Sequence, residues 1–431
     1  MKKLSASMTV LAGFQWLFFM FANTVVIPIS IGNAFGLEQM EIVSAIQRSF
    51  IFTGMACLLQ GLLGHRLALM EGQSGLWWGV ILSLAGTASA MGLDLATVGG
   101  SIAVGILISS ALIIILGALG MGNVLKKWFT PIVMFVFLLL LANQLITIFL
   151  KGMIGLNSSD TIDGKLALFS LALAAFTIFI HIKGKGIVSS LNLLIGMTVG
   201  WVLAVYLFPQ ASTSMITATP FLRWFPWGAP TFEWGIIITV VIAGLLNTTN
   251  TIATLKGAED IYGQPTTAKQ YTSSFIITGS LSAGAGLIGL VPYAPYASSL
   301  GFLQSTRIID RLPFFIGSSL FIILGVIPQF SAFFSTIPDS VGNTVLFVAY
   351  IQLFRSALRN IEGLTFEPKT VYRIALPSLL GLSIMTLPPE AFQTLPALVR
   401  PVLSNGMLVG ILSALVMELL YYIGRKTRKT A

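Results

Sequence analysis

Two stretches decide how this chain folds: RLALMEGQSGLWWG, residues 66–79, and LVPYAPYASSLGFL, residues 290–303. Each sets extended residues, interrupted by glycine or proline, directly before a short apolar helix. Alone, either reads as a surface loop. Their surroundings exclude that, because apolar runs longer than about 18 residues, the length that spans a bilayer, flank both. Across all 431 residues 55% are hydrophobic and 9% charged, where a soluble domain carries about 25% charged residues. This is an integral membrane protein. Irregular backbone inside it must be buried in protein or line a cavity, since lipid offers no hydrogen bonds.

Apolar runs bounded by charge, glycine or proline fall at 8–30, 41–63, 67–91, 97–122, 130–150, 166–182 and 186–207, and again at 231–255, 270–289, 290–305, 312–329, 338–358, 371–386 and 404–423. Fourteen crossings are predicted. With the N-terminus inside, thirteen basic residues fall in loops on that side and six at the two termini, leaving Arg48, Lys151, Lys165, Arg223 and Arg400 as exceptions among 24. That asymmetry predicts cytoplasmic N- and C-termini. Lys2 and Lys3 precede a long apolar run with no small-residue cleavage site, so the first span is read as retained.

Seven spans per half invert the halves relative to each other, as in many secondary transporters. LAGFQW at Leu11–Trp16 is echoed by IAGLLN at Ile242–Asn247, each in the first span of its half. The expected organisation is a first repeat over residues 1–207, an outer interfacial linker over 208–230, a second repeat over 231–423 and a basic cytoplasmic tail over 424–431. FLRWFPWGAP, residues 221–230, and PPEAFQTLPALVRP, residues 388–401, suit the membrane interface. The two opening stretches become the interrupted third and tenth spans, and paired interruptions point to a binding site near the midplane.

Composition removes several functions. Cys57 is the only cysteine, and His65 and His181 the only histidines, so no disulfide framework, zinc site or haem pair is expected, and no cofactor. The net charge of +9 sits in short loops with no basic stripe interleaved with aromatics, so nucleic acid is not a predicted partner. No HExxH, GxSxG, P-loop or CxxC occurs, which removes the common hydrolases and ATP-driven transport by this chain.

The polar residues inside spans are the site candidates. Glu71, in the interrupted third span, is either functional or an ion-pair partner of Arg48. NTTNT, residues 247–251, sets Asn247, Asn250 and Thr251 on one helix face. Such a face can satisfy a planar polar ligand or bond a neighbouring helix. Ser298 and Ser299 precede Gly301, and Gln73 and Ser74 hold the matching place in the third span. Helices starting there would aim N–H groups at the site, although a serine pair is alone only a cap. Gln15 reads as a supporting hydrogen-bonder, Trp16 as packing or a stacking surface, and Glu418 as a structural partner of Arg425.

Together these segments resemble the nucleobase/ascorbate transporter family, or nucleobase/cation symporter 2, which includes bacterial uracil, xanthine and uric acid permeases. GFQWLFFMFANTVVIP, residues 13–28, is similar to the family's first span through Gln15, Met20, Phe21 and Pro28, with Trp16 in place of a histidine. LLQGLLGHRLALMEGQSG, residues 58–75, keeps Gly72 and Ser74 of a Gly-x-Ser-Phe stretch, with Gly75 replacing the phenylalanine. Gly301, Thr306 and Arg307 match the second half of the tenth-span signature, whose acid or amide and asparagine become Ser298 and Ser299. IPQFSAFFSTIPDSVGNTVLFVAYIQLFRSALRNI, residues 327–361, resembles the junction of spans 11 and 12. Asn247 aligns with the family's eighth-span glutamate and cannot take up a proton.

The resemblance implies a 7+7 fold with core and gate domains, often dimeric. The predicted function is a secondary carrier of a purine or related nucleobase, with its site between spans 1, 3, 8 and 10. If proton coupling persists, Glu71 is the remaining carboxylate near the pocket. The rivals are an anion or other small-solute carrier on the same fold, and a sensor or scaffold that no longer transports.

Overall fold

A computed structural model of the protein describes residues 5–120, 128–156, 161–184, 188, 191–208 and 222–430, the side chains at 305 and 424–430 apart. It is 77% helical. The elements in chain order are α1 Ala6–Thr24, α2 Val26–Ala34, α3 Gln39–Leu62, β1 Glu71–Gln73, α4 Gly75–Gly86, α5 Leu95–Ala118, α6 Pro131–Met153, α7 Gly164–Lys183 and α8 Asn192–Leu207. They continue as α9 Trp234–Tyr262, α10 Ala268–Leu287, β2 Tyr293–Pro295, α11 Ser298–Thr306, α12 Arg311–Val326, α13 Pro328–Phe334, α14 Asp339–Ile361, α15 Pro368–Thr386 and α16 Gly406–Thr430.

Local chemistry sets many boundaries. Ser5, Asp94, Thr130 and Asp163 accept bonds from first-turn N–H groups, and Thr267 with Gln270 forms a reciprocal cap on α10, satisfying donors a helix start leaves orphaned. Helix α9 stops at Gly263, whose φ of +65° suits a residue without Cβ.

Among the described residues, eight helices are long and apolar enough to cross a bilayer, or nine if α12 and α13, bent by 90° at their junction, count as one span. The difference from fourteen has a physical origin. Segments 3 and 10 are divided into a strand and a short helix, α8 has 16 residues, and α10 and α15 lack an 18-residue stretch apolar enough to qualify. Parts of the predicted spans 97–122 and 186–207, and of the 208–230 linker, lie outside the described residues. Helix α16 runs on through 424–430 to Thr430.

The helices pack in two groups. In one, α1 and α3 both lie on α12, while α9 and α10 both lie on α5. In the other, α14 packs on α6, α7 and α8, and α6 on α15 and α16. Small residues allow the closest approaches. A Cβ at Gly279 would stand 2.7 Å from Ile114 Cγ1, and one at Gly317 would stand 2.6 Å from Trp16 Cβ and 2.8 Å from the Gly13 carbonyl oxygen.

Two buried charges, Arg48 and Glu418, are paired. Arg48 binds Glu41 at 2.5 Å and Ser44 at 2.8 Å, and Arg223 reaches the other Glu41 oxygen at 3.4 Å. Glu418 binds Arg373 through both oxygens while Arg373 lies 3.7 Å from the Tyr421 ring centroid. Arg48 thus pairs with Glu41 and not with Glu71, which removes the ion-pair alternative for Glu71, and Glu418 takes Arg373 from α15 as its partner.

At the α1–α12 crossing the obstructing atoms at Gly317 include backbone that cannot rotate away. Gly317→Ala is expected to destabilise the protein by about 1–3 kcal/mol, read as a lower melting temperature in detergent. An unchanged melting temperature would contradict the tight crossing.

Candidate functional site

Strands β1 and β2 meet antiparallel, with Glu71 opposite Pro295, Gly72 opposite Ala294 and Gln73 opposite Tyr293. Ser74 N–H donates to Pro292 O and Tyr296 N–H to Met70 O, both at 2.8 Å, extending the pairing at either end. Bonded pairs alternate along an antiparallel ladder, so Glu71 opposite Pro295 is a non-hydrogen-bonded pair and its own N–H and carbonyl point away from β2. Cys57 of α3 meets them there, its sulfur 3.4 Å from both the nitrogen and the carbonyl oxygen of Glu71. Helix α4 leaves β1 at Gly75 and α11 leaves β2 at Ser298, so both predicted interruptions meet in one hairpin-like crossing.

Alternation along a strand sends neighbours to opposite faces. Glu71 and Gln73 face α3 and α10. Thr278 of α10 donates to Glu71 Oε1 at 2.6 Å, Gln60 of α3 donates to the Thr278 hydroxyl at 2.8 Å, and Gln73 donates to Ser49 at 2.7 Å. Tyr293, paired with Gln73, joins Thr53 on the same side at 2.9 Å. The second Glu71 carboxylate oxygen and the Gln73 side-chain amide oxygen are buried with no hydrogen bond among the described residues.

The opposite face meets α9. The Ser74 hydroxyl donates to Asn247 Oδ1 at 2.5 Å, the Asn247 amide donates to Tyr293 O at 3.1 Å, and Asn250 donates to Asn247 Oδ1 at 2.9 Å. Three residues from two distant spans thus form one network, with Asn247 bonded to both strands' segments. Asn250 is only half-buried, so the network reaches an accessible surface. Thr248 and Thr249 are spent on carbonyls of their own helix, at Leu245 and Leu246, and Thr251 is buried one turn beyond Asn247. Tyr296 lies under Gly72, where a Cβ would meet its ring at 2.8 Å, and donates to the carbonyl oxygens of Gln73 and Asn23.

The remaining candidates are divided. Ser299 accepts from Met70 N–H at 3.0 Å, and its own N–H donates to Tyr296 O, so it pins the two segments together. Ser298 is exposed. Trp16 is fully buried among Phe19, Phe302 and Phe314, at ring separations of 5.6, 4.5 and 4.9 Å, which is packing. Gln15 is buried with its carbonyl oxygen unpaired among the described residues.

The second helix group also reaches this place. Gln144 of α6 donates to Gly79 O at 2.8 Å, and a Cβ at Gly75 would lie 3.2 Å from both Leu145 Cδ1 and the Tyr350 hydroxyl. Sequence reading passed over Thr278, Gln60 and Tyr350. Threonine and glutamine in a span are common packing residues, and Tyr350 lies in a segment legible as a family match and not as part of a pocket.

A crossing of two interrupted segments, walled by polar side chains and bounded by two helix groups, defines a membrane transport protein. A sequence model of the permease family matches residues 7–390. YwdJ of Bacillus subtilis, whose name as a purine permease is provisional, is 30% identical over 95% of each chain. The uric acid permease PucJ of the same organism is 26% identical over 100% of this chain and 96% of its own, and the B. subtilis xanthine permease is 23% identical over 98% and 95%. The chain belongs to this family, the nucleobase/ascorbate transporters, and is a permease and not an enzyme. In fold it is similar to the transmembrane domain of the cyanobacterial bicarbonate transporter BicA, with a TM-score of 0.64 at 14% identity over 94% and 96% of the two chains. The murine anion transporter Slc26a9 gives 0.62 at 11% identity over 99% and 69%.

Replacing Asn247 by alanine would strand the Ser74 hydroxyl, the Asn250 amide and the Tyr293 carbonyl. Each buried polar group left unpaired costs about 1–3 kcal/mol. Asn247→Ala is expected to lower the melting temperature in detergent well beyond Thr248→Ala, which loses one bond within its own helix. Equal shifts would contradict the network.

Proposed function

We propose that the protein is a secondary transporter that carries a purine or related nucleobase across the cytoplasmic membrane by alternating access. The observation that carries this reading is the Ser74–Asn247–Asn250 network, in a chain whose relatives are named as purine, uric acid and xanthine permeases. A nucleobase is planar, with donors and acceptors around its edge. Amides and a hydroxyl answer both kinds of group without a net charge. Asn247, Asn250, Thr251 and Ser74 recognise the edge and Tyr296 offers a ring, while Gln73 and Ser299 hold the strands in place, Gln15 supports from α1, and Ser298 lies at the exposed start of α11.

The packing partnerships support a 7+7 repeat with residues 1–207 and 231–423 as its halves. Exchanging α1 and α3 on α12 for α9 and α10 on α5 turns one half's arrangement into the other's. The group of α1–α5 and α9–α12 is the core and the group of α6–α8 and α14–α16 the gate, with both termini cytoplasmic and two copies forming a homodimer. On the outer side Asn33 of α2 donates to Asp339 of α14 at 3.0 Å and a Cβ at Gly342 would meet Val26 at 2.9 Å. On the inner side Gln304, Gln352 and Arg359 are exposed. These support a conformation closed outward and accessible from inside.

Coupling to protons is assigned to Glu71. Asn247 cannot exchange a proton, whereas Glu71 lies on the reverse face of the strand whose next residues include Ser74, so a change at its carboxyl is transmitted through β1. A second reading, an anion carrier, is favoured by the absence of a carboxylate from the Ser74–Asn247–Asn250 network.

The test is uptake of labelled xanthine, hypoxanthine, uric acid and uracil in cells without their own base permeases, with and without a protonophore. Protonophore-sensitive accumulation is expected. No base uptake by protein present in the membrane, together with chloride or sulfate transport, would replace the nucleobase reading with the anion one. Glu71→Gln is expected to abolish accumulation and spare exchange, and a variant that still concentrates the base removes Glu71 from the coupling.

A further inference from the structure

The start of α4 is empty of side chain on its own element and filled from the opposite helix group. Gly75 faces Tyr350 of α14, whose hydroxyl would be 3.2 Å from a Cβ built at that glycine and whose Cε1 would be 3.4 Å away. Gly75 follows Ser74 directly, so the phenol stands one residue from the network joining β1 to α9. The ring is held in place by Phe149 of α6 and Trp78 of α4, at centroid separations of 5.3 and 6.5 Å. Among the described residues the hydroxyl has no hydrogen-bond partner. Every other tyrosine at the crossing does, since Tyr293 bonds Thr53 and Tyr296 bonds the Gln73 carbonyl.

The tyrosine is half-buried, so a phenol fixed by ring contacts beside the network, with its hydroxyl bonded to nothing among the described residues, is accessible to a partner from outside the chain. We infer that Tyr350 is a specificity-determining residue that donates a hydrogen bond to an exocyclic carbonyl oxygen of the transported base, in the room that Gly75 leaves. This rests on the nucleobase reading. The base is then gripped from both helix groups, by Ser74, Asn247 and Asn250 on one side and by Tyr350 on the other. The contact from α14 exists only while the groups are together, so separation of the groups releases it. A site built around a hydrogen bond rejects analogues lacking the matching atom more strongly than an apolar pocket can.

The experiment compares uptake kinetics of xanthine, hypoxanthine, uric acid and uracil for the wild type, Tyr350→Phe, Gly75→Ala and the double variant, each normalised to its abundance in the membrane. Tyr350→Phe is expected to raise KM for the preferred base about tenfold, to leave the maximal rate within about twofold, and to reduce discrimination against analogues with one fewer exocyclic oxygen. Gly75→Ala, whose methyl group would stand 3.2 Å from the phenol oxygen and fill the room beside it, is expected to raise KM in the same direction. The double variant should be no worse than Tyr350→Phe, because both changes remove one contact. A Tyr350→Phe variant with wild-type KM for every base, or a double variant whose effects add, overturns the assignment while leaving base transport standing. If Tyr350→Phe does not reach the membrane, Gly75→Ala alone decides by the same criterion. A wild type that takes up no base overturns the nucleobase reading and this inference with it.

Discussion

Backbone that lipid cannot satisfy has to find its partners inside the protein, and here the segments around β1 and β2 find each other. Residues 70–74 and 292–296 exchange bonds along their length, and the Glu71 backbone groups that point away from β2 meet the Cys57 sulfur of α3. This pairing is what permits two spans to be broken in a membrane protein. It also fixes where α4 and α11 begin and puts residues far apart in sequence opposite each other. Small residues are required by the same constraint, since Gly72 admits the Tyr296 ring and Gly75 leaves space toward α14.

Strand alternation then divides the polar chemistry between two faces. Glu71 and Gln73 are engaged with α3 and α10, whereas Ser74 is engaged with α9. A residue-by-residue alignment to a family motif treats neighbours such as Glu71, Gln73 and Ser74 as one cluster. In three dimensions they serve two environments joined only through the strand, and under the proposed function that separation lets a proton site and a base site differ in chemistry while remaining mechanically linked.

The boundary between the helix groups supplies the remaining part. Helix α14 contacts α2 near one end through Asp339 and meets segment 3 farther along through Tyr350. A helix that touches the interrupted segments and packs on a different set of neighbours is well placed to respond to what occupies the space between them. Among the described residues, Asn33 to Asp339 and Gln144 to Gly79 are polar bonds across this boundary.

The sequence by itself determined the membrane class, the family and the position of both interruptions, because hydropathy, basic-loop asymmetry and glycine or proline before short helices are local signals that a bilayer reads directly. It also marked Asn247, Asn250 and Ser74, since amides and hydroxyls clustered in a span are costly without partners. Only the tertiary structure decided which partners they take. Glu71 bonds Thr278 where an Arg48 pair was an open reading, Trp16 is enclosed by phenylalanines, Ser299 pins strands while Ser298 is exposed, and Tyr350 arrives from a distant helix. The reason is that strand face and helix crossing are set by pairing register and packing between segments hundreds of residues apart, and one residue of register reverses every face.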